Sequence, residues 1–172
     1  MDVEAIYTTI PATEGLHLCE QDLNQRQTND KKVKPNTLMR LLEKQAYNND
    51  LQFGEETFLQ KHGTAMGKSW APTLADLFMA NWEETLFLYT AGENNIPFPI
   101  FYWVRYLDDI FMIWTHSRQD LEDFLDVANN WHENVTMEAT LNDQQIDFLD
   151  VTIYKGENHS ATGFLKTKSY RK

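Results

Sequence analysis

The sequence predicts an α+β fold in which an antiparallel sheet packs against helices, and three observations carry that prediction. Two runs, 100–106 and 110–114, are almost continuously aromatic and β-branched and bracket Leu107-Asp108-Asp109, as the arms of a hairpin bracket its tip. Segment 72–89 places Leu74, Leu77, Phe78, Leu86 and Phe87 at helical spacing. No internal repeat, low-complexity tract or Pro/Ser-rich linker divides the 172 residues, a length that suits one domain spanning 1–172.

The remaining elements follow in order. Val3, Ile6 and Ile10 are β-prone, so residues 1–10 are expected to form a strand that Pro11 stops. Thr13 and the acidic Glu14 suggest the start of a helix through Gln25, and Pro35-Asn36-Thr37 opens another to about Tyr47. Residues 51–53 and 57–60, separated by Gly54-Glu55-Glu56, read as a hairpin. Gly63 and Gly67 punctuate a turn before the helix at 72–89. Ser117 caps a helix through Asn130, with Leu121, Phe124, Leu125 and Ala128 on one face. Runs 135–141 and 146–154 return to strand, and a last strand is expected at 161–166.

Charge sets the first limit on function. Fifteen Lys and Arg stand against 26 Asp and Glu, a net charge of -11, which excludes whole-surface attraction to nucleic acid or anionic lipid. A polyanion must be met locally. The single cysteine, Cys19, cannot form an internal disulfide and points to a reducing, intracellular setting. The amino end lacks a signal-peptide pattern, and the most apolar stretch, 96–114, carries Arg105, Asp108 and Asp109, so no membrane span is expected. His17 and Cys19 have no partner pair at zinc spacing, and His132-Glu133 lacks the second histidine of a helical zinc motif.

The Asp108-Asp109 pair concentrates the chemistry. Two ionised carboxylates at a tight tip repel each other and lose hydration between apolar strands, a conflict that a divalent cation resolves. Hard oxygen ligands suit Mg²⁺, which shares its coordination with waters and substrate phosphates. A third carboxylate must come from a neighbouring strand, and Asp2 is the candidate. The alternative is a solvated turn, but turn aspartates usually have polar neighbours, whereas Tyr102, Trp103, Val104, Tyr106, Ile110 and Phe111 flank this pair. Arg105 is expected to pair with a nearby carboxylate or to extend its head towards water.

Tyr106-Leu107-Asp108-Asp109 resembles the YxDD signature of reverse transcriptases. Asp2 followed five residues later by Tyr7 is similar to the family's first catalytic motif, and segment 60–72 resembles the QxxGxAMG…SP motif of the Penelope-like retroelement branch. Lys68 stands where that branch usually has serine, and Ala71 replaces the serine before Pro72. Ile146-Asp147-Phe148-Leu149-Asp150-Val151 is similar to its FLDV strand, and Ser169-Tyr170-Arg171-Lys172 to the start of its YRKPTD segment. The matches fall in family order across nearly the whole chain.

The resemblance implies the palm of a right-hand polymerase, with its catalytic hairpin at 106–109, and RNA-directed DNA polymerase activity in a retrotransposon context. Asp2, Asp108 and Asp109 would be the catalytic residues and, with the Val3 backbone carbonyl, would hold Mg²⁺, with Mn²⁺ as a substitute. Tyr7 would be the steric gate against ribonucleotides. Gln60, Gly63, Met66 and Gly67 would line the nucleotide pocket, and Tyr106, Lys166 and Lys168 would meet nucleic acid. The implied partners are an RNA or DNA template with primer and deoxynucleoside triphosphates, in the nucleus or cytoplasm. The chain is expected to lack fingers, thumb and any GIY-YIG nuclease module, with 161–172 beginning the thumb connection. Two alternatives remain at this point: a non-catalytic palm-derived binding or assembly module, and a nucleotidyl cyclase, which the glycine motif disfavours.

Overall fold

A computed structural model of the chain describes residues 1–26, 33–65, 67–91 and 100–170. The expectations for Met66, Arg171 and Lys172 lie outside these residues. The fold is α+β, built from antiparallel sheets and helices. Its elements are β1 (Asp2–Val3), α1 (Ile6–Thr9), α2 (Ala12–Gln25), α3 (Pro35–Tyr47), β2 (Asp50–Phe53), β3 (Glu56–Leu59) and α4 (Ala71–Ala91). They continue with β4 (Ile100–Tyr106), β5 (Asp109–Trp114), α5 (Arg118–Trp131), β6 (Met137–Glu138), β7 (Gln145–Phe148), β8 (Val151–Lys155), α6 (His159–Thr162) and β9 (Leu165–Ser169).

The central sheet has strand order β4-β5-β1-β6, so the short β1 is threaded between two later strands. The expected ten-residue first strand ends at Val3. Ala5 adopts a left-handed φ of 50°, and the chain turns into α1. The reason lies in spacing: Val3, Ile6 and Ile10, all buried, are three and four residues apart, a helical period that outweighs their β propensity. The β2–β3 hairpin forms as expected.

Helix α4 is the axis of the core. Leu74, Ala75, Phe78, Met79, Trp82 and Leu86 are buried along it, against Ile6, Leu16 and Cys19 from the amino-terminal helices. Gly15 lets α2 approach closely, since a Cβ there would stand 2.6 Å from a Leu74 methyl. Helix α5 buries Leu121, Phe124 and Ala128, and the Phe124 ring meets both Trp103 and Trp114. Strand β6 is shorter than the expected 135–141 because its partner β1 is only two residues long, and Asn129 of α5 occupies its outer edge. The Asn129 side chain accepts from the Met137 amide at 2.7 Å and donates to the Met137 carbonyl at 3.3 Å, standing in for a further strand.

Two other expectations are corrected. Run 146–154 is a hairpin rather than one strand, because Leu149 takes a left-handed φ of 52° and reverses the chain between Phe148 and Val151. The strand expected at 161–166 starts at Leu165, after the single turn of α6, which Gly163 terminates at φ 72°. Strands β7, β8 and β9 form their own antiparallel sheet, and the Phe148 ring approaches Phe111 of β5 at 5.8 Å between centroids. Among the described residues, no helix is long and apolar enough to cross a membrane.

The start of α5 carries a capping box. The Ser117 hydroxyl accepts from the Asp120 amide while the Asp120 carboxylate accepts from the Ser117 amide. The Ser117 hydroxyl, which also donates to that carboxylate, holds its pKa below the ordinary value. A depressed folded pKa stabilises above the unfolded value near ~4 and is lost as pH falls through the folded value. Asp120→Asn is therefore expected to lower stability at pH 7 and to match the parent at acid pH, measured by urea unfolding across that range. In the same assay at pH 7, Phe124→Ala should cost about 3–5 kcal/mol, the range for emptying a fully buried aromatic site.

Candidate functional site

The hairpin tip is tighter than the sequence suggests. Strand β5 begins at Asp109, which pairs with Tyr106, so the turn consists of Leu107 and Asp108 alone. Leu107 has a φ of 56°, a left-handed conformation unusual for a branched residue that has to be held by its surroundings.

Arg105 holds it. Its side chain is only 7% exposed and lies on the core face of β4. The guanidinium donates to Glu83 Oε1 at 2.9 Å, to Asp76 Oδ1 at 2.9 Å and to the Leu107 carbonyl at 3.1 Å. Trp103 Nε1 donates to the same Glu83 oxygen at 2.7 Å. Burial alone would lower the Arg105 pKa, but Glu83 and then Asp76 outweigh it and raise the value, so the cation persists. Arg105 pairs with carboxylates as expected. Its bond to the turn carbonyl was not legible in the sequence.

The opposite face of the sheet carries the acids. Asp2 lies directly across from Asp109 on one side and from Glu138 on the other, and Asp109 lies across from Tyr106. Residues opposed in register share a face, so Tyr106, Asp109, Asp2 and Glu138 form one row across all four strands. Met1 and Ile110 exchange backbone hydrogen bonds, and the Val3 amide donates to the Asp108 carbonyl at 3.0 Å, which locks this register on both sides of Asp2. Burial lowers the pKa of the Met1 ammonium, while the negative charges of Asp109 and then Asp2 push it back up. Asp2, Asp109 and Glu138 open onto a cavity of about 470 Å³, lined also by Gln145 and Asp147 of β7. A larger cleft, about 640 Å³, lies between β5, α5 and the β7–β9 sheet and contains neither Asp2 nor Asp109.

Asp108 lies within the two-residue turn itself. The phenol pKa of Tyr7 is raised by burial first, then by the charge of Asp108 and by Tyr106, so these three groups share one neighbourhood. Gly63 and Gln60 lie behind Tyr7. Gly63 has a φ of 72°, and a Cβ on it would come within 2.6 Å of the Tyr7 and Thr8 carbonyl oxygens. The Gln60 amide is bonded to Asn49, His62 and Thr64. Gly67, at φ 83°, faces open space. Lys166 and Lys168 lie on β9, opposite Tyr154 and Thr152, in rows that end at Gln145 and Asp147. The Lys168 ammonium sits 5.4 Å from the Tyr154 ring centroid.

Sequence reasoning missed Glu138. The alternation of buried Val135 and Met137 with exposed Thr136 and Glu138 was a usable signal, but pairing with β1 was not. Among the described residues, no three His, Cys, Asp or Glu side chains gather closely enough to cage a metal. Mg²⁺ does not require such a cage, since one or two carboxylates, waters and substrate phosphates usually hold it. Asp2 and Asp109, side by side at a cavity, fit that donor set, with Asp108 one residue away in the turn.

No protein-family model matches the chain, and no curated protein matches its sequence.

The Arg105 network leads to an ordered set of costs. Glu83, 16% exposed, should be costly to remove, about 3 kcal/mol for Glu83→Ala, because the Arg105 charge stays buried. Asp76, 62% exposed, should cost ~1 kcal/mol or less in Asp76→Ala. Urea unfolding of both variants checks the order; equal costs would contradict the anchoring role given to Glu83.

Proposed function

We propose that the chain is the palm of an RNA-directed DNA polymerase of the Penelope-like type, joining deoxynucleotides to a primer 3′-hydroxyl on an RNA or DNA template. The observation that carries this reading is the cross-strand pair of Asp2 and Asp109 beside the Leu107-Asp108 turn, with Tyr7 close to Asp108. The order of the sequence motifs supports it independently.

In this reading the primer 3′-oxygen attacks the α-phosphorus of the incoming nucleotide and pyrophosphate leaves. Asp2, Asp108 and Asp109, with the Val3 carbonyl, would hold Mg²⁺, which supplies a lower pKa at the primer hydroxyl and charge neutralisation at the triphosphate. The buried Val3 and Ile110 that flank the two strand carboxylates keep them in register, so their position is set by the core and not by the ligand. Tyr7 would stand at the edge of the site, where its uncharged ring would exclude a 2′-hydroxyl by contact. Burial and Asp108 both favour its neutral form. Tyr106 offers an exposed ring beside Asp109 for stacking against a base or sugar. Lys166 and Lys168 give the strongly acidic chain a local cationic stretch for phosphate contacts.

A second reading, a non-catalytic palm-derived binding or assembly module, is favoured by one observation. On the β2–β3 ribbon, Leu51, Phe53 and Phe58 share a face and are 49%, 83% and 49% exposed. Apolar surface of that kind marks an interaction site.

Primer extension separates the two. With Mg²⁺, an RNA template and deoxynucleotides, the chain should extend a primer, and Asp108→Ala should reduce extension by more than the ~10²-fold typical of a 1 Å misplacement. Extension equal in parent and variant, or absent from both, would refute catalysis by this chain and leave the binding module. Manganese binding followed by electron paramagnetic resonance provides a separate readout: Asp2→Asn and Asp109→Asn should each weaken it, and unchanged binding in both would remove the metal site.

A further inference from the structure

We infer that Gln60 is a positioning residue that sets the placement of Tyr7 through the Gly63-Thr64 backbone, and that Asn49 is its fixed support. The inference rests on the palm reading only where it concerns choice of sugar; the clamp itself is drawn from contacts within this chain.

Asn49 is a polar residue only 3% exposed, at the end of the loop that leads into β2. Its side-chain amide donates to Gln60 Oε1 at 2.5 Å, and its carbonyl accepts from the Gln60 amide at 2.9 Å. Gln60 is thus gripped by side chain and main chain at once. Its own Nε2 donates to the His62 carbonyl at 2.7 Å and to the Thr64 carbonyl at 3.4 Å, folding residues 60–64 into a tight loop. The loop is pressed against α1. The Thr64 amide donates to the Tyr7 carbonyl at 2.6 Å, and Gly63 approaches Tyr7 and Thr8 so closely that no side chain fits there.

This packing gives Gln60 a different task from lining a nucleotide pocket. An amide group with one acceptor and two donors is used on three partners of the chain itself. The glycine's missing Cβ is accounted for by the backbone of α1, without a ligand. The clamp matters because α1 is a single turn entered through a left-handed Ala5, and such a short helix has little stability of its own. Tyr7 sits on this turn. Loosening the 60–64 loop therefore moves the ring relative to Asp108 without altering Tyr7 itself.

The test is amide hydrogen exchange by NMR on the full chain, with sugar selectivity as the functional readout. Gln60→Ala and Asn49→Ala should each speed exchange at the Thr64 amide about tenfold, and the double variant no further, because both break one clamp. Gln60→Glu keeps the acceptor for Asn49 but loses both donors, so it should fall between parent and Gln60→Ala. Thr64→Val, which removes a buried hydroxyl without a hydrogen-bond partner, should leave the exchange unchanged. If the chain extends primers, Gln60→Ala should raise ribonucleotide relative to deoxynucleotide incorporation about tenfold, with a smaller change in deoxynucleotide kcat. Unchanged Thr64 exchange in Gln60→Ala overturns the clamp. Faster exchange with unaltered sugar selectivity in an active chain overturns the link to Tyr7. Absence of extension by the parent rejects catalysis by this chain, and exchange then decides the clamp alone.

Discussion

The buried ion pair of Arg105 and Glu83 is the constraint on which the geometry of the acidic face depends. The central sheet has one face in the core and one open, and the hairpin tip belongs to both. Arg105 reaches from the core face of β4 to α4, and from the same guanidinium to the carbonyl of Leu107. A charged group removed from water needs its partners, so the pair cannot drift apart without stranding a cation. The tip is thereby referenced to the most buried helix of the molecule. Its strained Leu107 is kept in place by tertiary contact rather than by local preference, and Asp108 and Asp109 inherit that position.

The sequence disclosed the elements whose signals are local. The hairpin β4–β5, the helices α3 and α5, the ribbon β2–β3 and the Ser117 cap rest on periodicity, turn chemistry and capping, and all are present. It disclosed less where composition and spacing disagreed. Val3, Ile6 and Ile10 are strand-formers at helical intervals, and the core selected the intervals. Leu149 is no turn-former either, and nothing in its identity announces a left-handed φ. A comparison could have: Tyr106-Leu107-Asp108 and Phe148-Leu149-Asp150 share the order aromatic, Leu, Asp, and each reverses its chain at the leucine.

The candidate site was legible as a set of residues and not as an arrangement. Asp2 and Asp109 come together because β1 inserts between β5 and β6, a pairing across more than a hundred residues that no local pattern encodes. The same insertion brings Glu138 into the row. Asp108 and Asp109, neighbours in sequence, are separated in place: one belongs to the turn, the other to the strand beside Asp2. Residues assigned together to a nucleotide pocket also divide. Gly67 faces open space, whereas Gly63 is pressed against α1 and Gln60 is bonded to Asn49, His62 and Thr64.

The net charge of -11 acquires a spatial meaning from this arrangement. Asp2, Asp109, Glu138 and Asp147 line one cavity, so a cation entering it would meet carboxylates from three strands of one sheet and from β7. Acids on α5 have another fate: Arg118 and Gln119 bond Glu122 and Asp123 along an exposed helix surface, where water screens the charge. Only the first group is held in register by buried neighbours. A carboxylate on a mobile surface can move away from its neighbour, but Asp2 and Asp109 cannot, because the Met1–Ile110 and Val3–Asp108 hydrogen bonds fix the backbone on either side. The proximity of these two carboxylates is therefore built in, and on the proposed reading a hard divalent cation sharing its coordination with phosphates would be the ligand they receive. That asymmetry, rather than the total of acidic residues, is why an acidic chain can still be read as one that handles a polyanion.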